Sequence, residues 1–326
     1  VRELRARARR RADLQIVGIF LIVFVVLSFM TSQTAGALDL MLDRAAITGL
    51  VALGLTVVIV QAQLDLSVGS TMALAAIVTV EVSDRSLALG IVAALGVGLA
   101  VGLLNGFIVT VMQVNSFIAT LGTMVAIRGV ALLVTNSEPV QGGSIDAALT
   151  LIKEVFWIFT PKILVLVGAL VLIHLMLSRS RTGREFYAVG GNMEAARAAG
   201  VPVRRRVVQG FVICGVLSSA AGWVTATELN SANPNMAADV ALLAIAAVVV
   251  GGASLTGGRG TALGTALGAA TVALIATVLD LEGISSGYQA IATGLILLLV
   301  VAADQLSLAA DLGRRLHTRL RPGEPA

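Results

Sequence analysis

The chain has 326 residues, 57% of them hydrophobic and 13% charged, with a mean hydropathy of +0.94. A soluble domain carries about 25% charged residues, so this composition excludes an ordinary water-soluble fold and makes lipid the main solvent. The net charge of +4 and the pI near 10.0 invite a nucleic-acid reading, but the basic residues gather at the ends of apolar runs with no interleaved aromatics, which argues against it.

A membrane helix needs about 20 mostly apolar residues. In chain order, a basic segment 1–14 precedes apolar stretches at 15–33, 45–63, 66–82, 87–111, 116–135, 160–178, 207–228, 239–251, 261–279 and 288–304. A basic start before Ile16–Met30, with Thr34-Ala35-Gly36-Ala37 behind it, also resembles a cleaved signal peptide. The many further apolar stretches favour an uncleaved first span. The expected fold class is therefore an all-α integral membrane protein of about ten transmembrane helices. One transmembrane domain, 15–304, lies between the basic N-terminus 1–14 and a C-terminal tail, 305–326.

Arginines set the orientation. Six lie in 1–14, seven in 179–206 and four in 305–326. With six spans between the first two clusters and four between the last two, all three fall on one face. The positive-inside rule makes that face cytoplasmic, with both termini there. The outer loops are then 34–44, 83–86, 136–159, 229–238 and 280–287, which carry Asp39, Asp43, Asp84, Glu138, Asp146, Glu154, Asp280 and Glu282. Within 136–159, Ala148–Phe159 has the pattern of a short amphipathic helix lying on the surface.

Two spans are short or broken. One follows Gln61-Ala62-Gln63-Leu64-Asp65, and the other ends in Gly251–Gly260. LSVGSTMALA (66–75) is weakly similar to LTGGRGTALG (255–264). Paired, glycine-interrupted segments point to a translocation path; glycines also simply allow close helix packing.

Few residues offer chemistry. Asp65 either lines a polar path with Ser67 or caps a half-helix by accepting from the N–H of Ser67 or Val68, the preferred reading. Asn105, Asn115 and Thr120 either bond across helices or meet substrate. Arg128 either snorkels outward or pairs with a carboxylate such as Glu228, itself a candidate for the mouth of the path. Cys214, the single cysteine, reads as a core residue. No metal-ligand spacing is present, and no cofactor is expected. Gly251–Gly260 lacks the Gly-Lys-Ser/Thr of a phosphate loop, so an ATP-driven process needs a separate ATPase.

The segment Arg179–Arg206 is a polar island among spans. Met193–Ala199 reads as a helix of about two turns, too short to stand alone. Asn192 is its N-cap after a turn at Val189–Gly191, and Gly200 and Pro202 stop it. Glu194 and Arg197 share a face. Such a helix braced between two spans suits a mechanical coupler; the alternative is an ordinary cytoplasmic loop that obeys the positive-inside rule.

This island also carries a resemblance. Gly183–Val201, GREFYAVGGNMEAARAAGV, closely resembles the coupling loop of permease subunits in bacterial ATP-binding-cassette importers of the ribose/xylose/arabinose group. DLSVGS (65–70), NSFIATLGTMVAIRG (115–129) and AIAAVVVGGASLTGGRG (244–260) match the same family in order. The resemblance implies a multi-pass permease of the bacterial cytoplasmic (inner) membrane. Its implied partners are a second permease copy (identical or paralogous), two cytoplasmic ATPases or one fused double ATPase, and an extracytoplasmic sugar-binding protein. By the same resemblance Asn192, Glu194, Ala195, Ala196, Arg197 and Gly200 belong to the segment that meets the ATPase. Residues 279–306 and the stretch LLAIAAVVVGG (242–252) look most like the xylose-type branch, and acidic residues that the ribose type carries near Ala241 and Leu243 are absent. Glu228 departs from the family by standing where relatives usually have Arg, and Ala62-Gln63 replaces a common Gly or Gly-Glu pair. The rival reading is a stand-alone proton- or ion-coupled transporter, for which Asp65 is the main titratable candidate.

Overall fold

A computed structural model describes residues 34–83, 86–142 and 161–285, together with residue 18 and parts of 287–302. Its elements are α1 (Thr34–Ile59), α2 (Val68–Ser83), α3 (Leu87–Thr110), α4 (Ser116–Val134), β1 (Val140–Gln141), α5 (Pro161–Arg179), α6 (Arg181–Gly191), α7 (Met193–Ala198), α8 (Val203–Leu229), β2 (Ser231–Ala232), α9 (Val240–Val250) and α10 (Ala262–Leu281). Helices α1, α3, α4, α5, α8 and α10 are long and apolar enough to cross a membrane. At about 1.5 Å per residue, 16-residue α2 and 11-residue α9 fall short of a hydrocarbon layer about 30 Å thick. The two segments read as broken are therefore half-helices flanked by irregular chain.

Eight of the ten predicted spans coincide with these helices. The first, 15–33, lies outside the described residues apart from Gly18, as does the surface helix expected at Ala148–Phe159. Of 288–304, the described residues are helical.

Three boundaries differ from expectation. Residues 34–44, read as an outer loop, are the first turns of α1. Their acids suggested a loop, yet Leu, Met and Ala are strong helix formers, and Met41 and Ala45 pack against Leu274 and Val278 of α10. The stretch before Asn192, read as a turn, is the amphipathic helix α6, which buries Phe186 and Val189. Ser180 starts it, accepting a hydrogen bond from the Gly183 N–H at 2.9 Å. Finally, α8 begins at Val203 and takes Arg204, Arg205 and Arg206 into its first turn, with Pro202 at the N-cap.

The core forms around α1, whose residues Leu50–Leu53 and Val57–Ile59 are almost wholly buried, as is Val60 just after it. Helices α3, α4 and α5 sit at the periphery, with Leu103, Phe107, Ile118, Val125 and Leu172 exposed. In lipid these side chains carry no penalty, and packing depends on close approach. The crossing of α3 and α8 is the clearest case: a Cβ added at Gly98 would lie 2.2 Å from the Gly215 carbonyl oxygen, and one added at Gly215 equally close to that of Gly98. Small hydroxyls also link helices, as in the 2.6 Å bond between Thr56 of α1 and Thr265 of α10.

Two sets of contacts define the ends of the bundle. At one, α6 and α7 lie beside the chain that follows α1 and the loop between α9 and α10. At the other, β1 pairs antiparallel with β2, joining the chain after α4 to the chain after α8.

Candidate functional site

Three groups of residues carry the polar chemistry. The first is the short helix α7 on the arginine-rich face. Asn192 caps it by accepting from the Ala195 N–H at 2.9 Å. Its C-terminus closes with Gly200 at φ +80, the Gly200 N–H on the Arg197 carbonyl and the Val201 N–H on that of Ala196, both at 3.0 Å. This is a Schellman closure, which needs the left-handed residue that glycine supplies. Glu194 and Arg197 pair at 3.3 Å on the exposed side. Within α7 only Ala196 is buried, so Glu194, Ala195, Arg197 and Gly200 face outward. Six residues cannot hold a helix alone in water, and the caps, Ala196 and the packing of Met193 against the core supply the support.

The helix before it is pinned by charge. Glu185 of α6 accepts from Arg206 of α8 at 2.5 Å and from Arg181 at 2.8 Å. These hydrogen bonds, Arg206 first and then Arg181, hold the Glu185 carboxyl below its ordinary value of 4.5. Sequence reasoning passed over Glu185 and took the flanking arginines mainly for orientation signals. The Arg181–Glu185 spacing of four was the available clue.

The second group is a buried polar cluster next to the same face. The Asp65 carboxylate accepts from the Ser67 N–H at 2.9 Å and from the Ser67 hydroxyl at 2.6 Å. Asn105 donates to Ser67 Oγ at 2.8 Å, with longer approaches to Asp65, and accepts from Thr123 at 2.8 Å. Thr120 accepts from the Leu66 N–H at 3.1 Å, and Ser116 from the Leu64 N–H at 3.2 Å. Thus Asp65, Ser67, Asn105 and Thr120 converge, joined by Thr123 and Ser116, and they tie the chain before α2 to α3 and α4. Asn115 stands apart: it is the N-cap of α4, accepting from the Phe117 N–H at 2.9 Å.

The third group lies at the opposite end. Lys162, buried at the start of α5, bridges Asp43 of α1 at 2.7 Å and Glu228 of α8 at 2.6 Å. Arg128 does not pair with Glu228, as one reading expected; it donates to Asn235 at 2.8 Å. The lysine is nearer to Glu228 and answers the acid that stands there. Among the described residues, no group of three His, Cys, Asp or Glu side chains is placed to hold a metal ion.

The geometry is that of a multi-helix bundle with an exposed, doubly capped helix on one face. Residues 37–301 match the family of branched-chain amino acid transport system permease components. The chain belongs to that permease family. It is similar to the ribose import permease of Escherichia coli (strain K12), 37% identical over 276 residues that cover 81% of this chain and 84% of the relative. The ribose import permease of Bacillus subtilis (strain 168) is 35% identical over 294 residues, 89% and 91% of the two chains. A fructose import permease of Rhizobium meliloti is 33% identical over 282 residues, 83% and 78%. No solved structure gives a significant match. Membership makes the protein a multi-helix membrane permease, the membrane component of a transport system rather than an enzyme.

Proposed function

We propose that this permease moves a sugar across the bacterial inner membrane, driven by a separate ATP-binding-cassette ATPase and supplied by an extracytoplasmic binding protein. The observation that carries the reading is α7: capped at both ends, anchored through Ala196, and otherwise turned outward beside a core helix. ATP binding closes the ATPases, and their motion enters at Asn192–Val201. The arginine-rich face is then cytoplasmic, and a second permease copy, identical or paralogous, completes the path. A pentose fits the resemblance best, xylose foremost, with ribose and fructose the sugars in the names of its relatives.

In this reading Asp65 is a cap and Ser67, Asn105 and Thr120 are its supports, clamping the half-helix α2 beside the path. Glu228 belongs to the outer ionic bridge.

Reconstitution tests the proposal. Proteoliposomes holding the permease, its ATPase and its binding protein accumulate radiolabelled xylose or ribose only with ATP. Uptake by the permease alone, driven by a proton gradient, contradicts it and favours a secondary transporter.

A further inference from the structure

Close in the chain to the start of α7, three segments meet largely backbone to backbone. They are the turn after α1 (Val60–Ala62), the end of α6 (Gly190–Gly191) and the loop Ser254–Gly260 between α9 and α10. The Gly258 N–H donates to the Val60 carbonyl at 2.9 Å. A Cβ at Gly190 would lie 1.9 Å from that same carbonyl oxygen and 2.8 Å from the Gly258 nitrogen. One at Gly257 would lie 2.7 Å from the Ala62 Cβ and 2.9 Å from the Gly190 oxygen. Gly257 and Gly258 also have φ of +85 and +72, so the loop reaches this position through conformations that side chains disfavour. One turn before Gly190, the Tyr187 hydroxyl donates to the Gly260 carbonyl at 2.7 Å. In the same helix, Phe186 and Val189 are locked in the core.

We propose that this contact is the joint through which a displacement of α7 reaches the membrane helices, with Tyr187 as the residue that positions it. The inference rests on the reading of α7 as the ATPase contact. Side chains absorb strain by changing rotamer, and touching backbones have none to change, so a close-packed contact passes displacement on. α7 starts three residues after Gly190. Gly190 bears on the end of α1 and on the α9–α10 loop at once. Past Ala62 the chain runs directly into Asp65 and α2. One input therefore serves α1, α2, α9 and α10, and the chain around the two half-helices, where LSVGSTMALA and LTGGRGTALG are weakly alike, meets at a single point.

The test uses the complete transporter in proteoliposomes, comparing wild type with Tyr187→Phe and Gly258→Ala. Radiolabelled xylose and ribose uptake is measured against ATP hydrolysis, and cross-linking of an Ala195→Cys derivative to the ATPase reports docking separately. Tyr187→Phe keeps the fold, cross-links as wild type does and hydrolyses ATP, but transports about fivefold less sugar per ATP, the equilibrium weight of one hydrogen bond. Gly258→Ala shifts the ratio in the same direction. A wild-type ratio in both variants overturns the joint, as does a parallel fall of uptake and hydrolysis, which marks a merely structural role. Absence of cross-linking at Ala195 with transport intact overturns the docking reading instead.

Discussion

The two ends of the bundle differ in their closest helix contacts, although the arginine-rich end also holds the Glu185–Arg206 pair and the opposite end the β1–β2 ladder. At the arginine-rich end Val60, Gly190 and Gly258 meet backbone to backbone. At the opposite end the helices are joined by long side chains, Lys162 to Asp43 and Glu228, and Arg44 to Asp280. Touching backbones leave no freedom for adjustment. Lys162 is buried, but the carboxylates it meets are about a third exposed, so solvent and salt screen part of each pair. One end is thus built to pass displacement on, and the other to accommodate it.

The contrast breaks first at Gly190. Gly190→Val forces branched carbons against the Val60 carbonyl, and overpacking of this kind costs about 3 kcal/mol. Thermal unfolding in detergent shows a large drop in Tm; an unchanged Tm means that the joint is loose. Next is Asn105→Ala, which strips Ser67 and Thr123 of a buried partner and weakens the surroundings of Asp65. About 2 kcal/mol is expected, read in the same assay, with Asp65→Asn milder because its amide oxygen still accepts from the Ser67 N–H.

Lys162→Met probes the other end. Asp43 and Glu228 side chains are 33% and 37% exposed, so screening limits the loss to about 1 kcal/mol, shrinking as salt rises. A larger, salt-independent loss makes this end as rigid as the first. Acid titration sharpens the role of Glu185. Its folded pKa lies below the ordinary 4.5, so its contribution is complete above that value and is lost as pH falls through the lowered one. Wild type and Glu185→Gln therefore differ in Tm at neutral pH and converge in acid. The smallest effect on stability belongs to Glu194→Ala, which removes a surface pair with Glu194 82% exposed and shifts stability by about 0.5 kcal/mol or less. Its transport per ATP nevertheless falls, separating coupling from folding.

Local signals were legible in the sequence. The caps of α7 needed only Asn192, Gly200 and their neighbours, and the Asp65–Ser67 contact spans two residues. Hydropathy found the cores of eight helices. What escaped was nonlocal or ambiguous in sign. The acids in 34–44 suggested a loop because the partner of Asp43, Lys162, lies far along the chain in α5. Glu228 meets Lys162 across 66 residues, and nothing local favoured that lysine over Arg128. Glycines gave the least warning: Gly190, read as part of a turn, is helical and marks a close approach, while Gly200 is a true left-handed stop.

The central claim is that motion enters at α7 and crosses a rigid joint into the helices. Pulsed electron-spin distance measurement in the complete transporter tests it directly, in a Cys214→Ala background. One pair of labels replaces the exposed residues Arg197 and Thr256 across the joint; another replaces Leu38 and Leu229 at the opposite end. The account predicts that ATP binding leaves the first distance unchanged and narrow while the second shifts. A first distance that moves or broadens on ATP binding, with the second fixed, contradicts it.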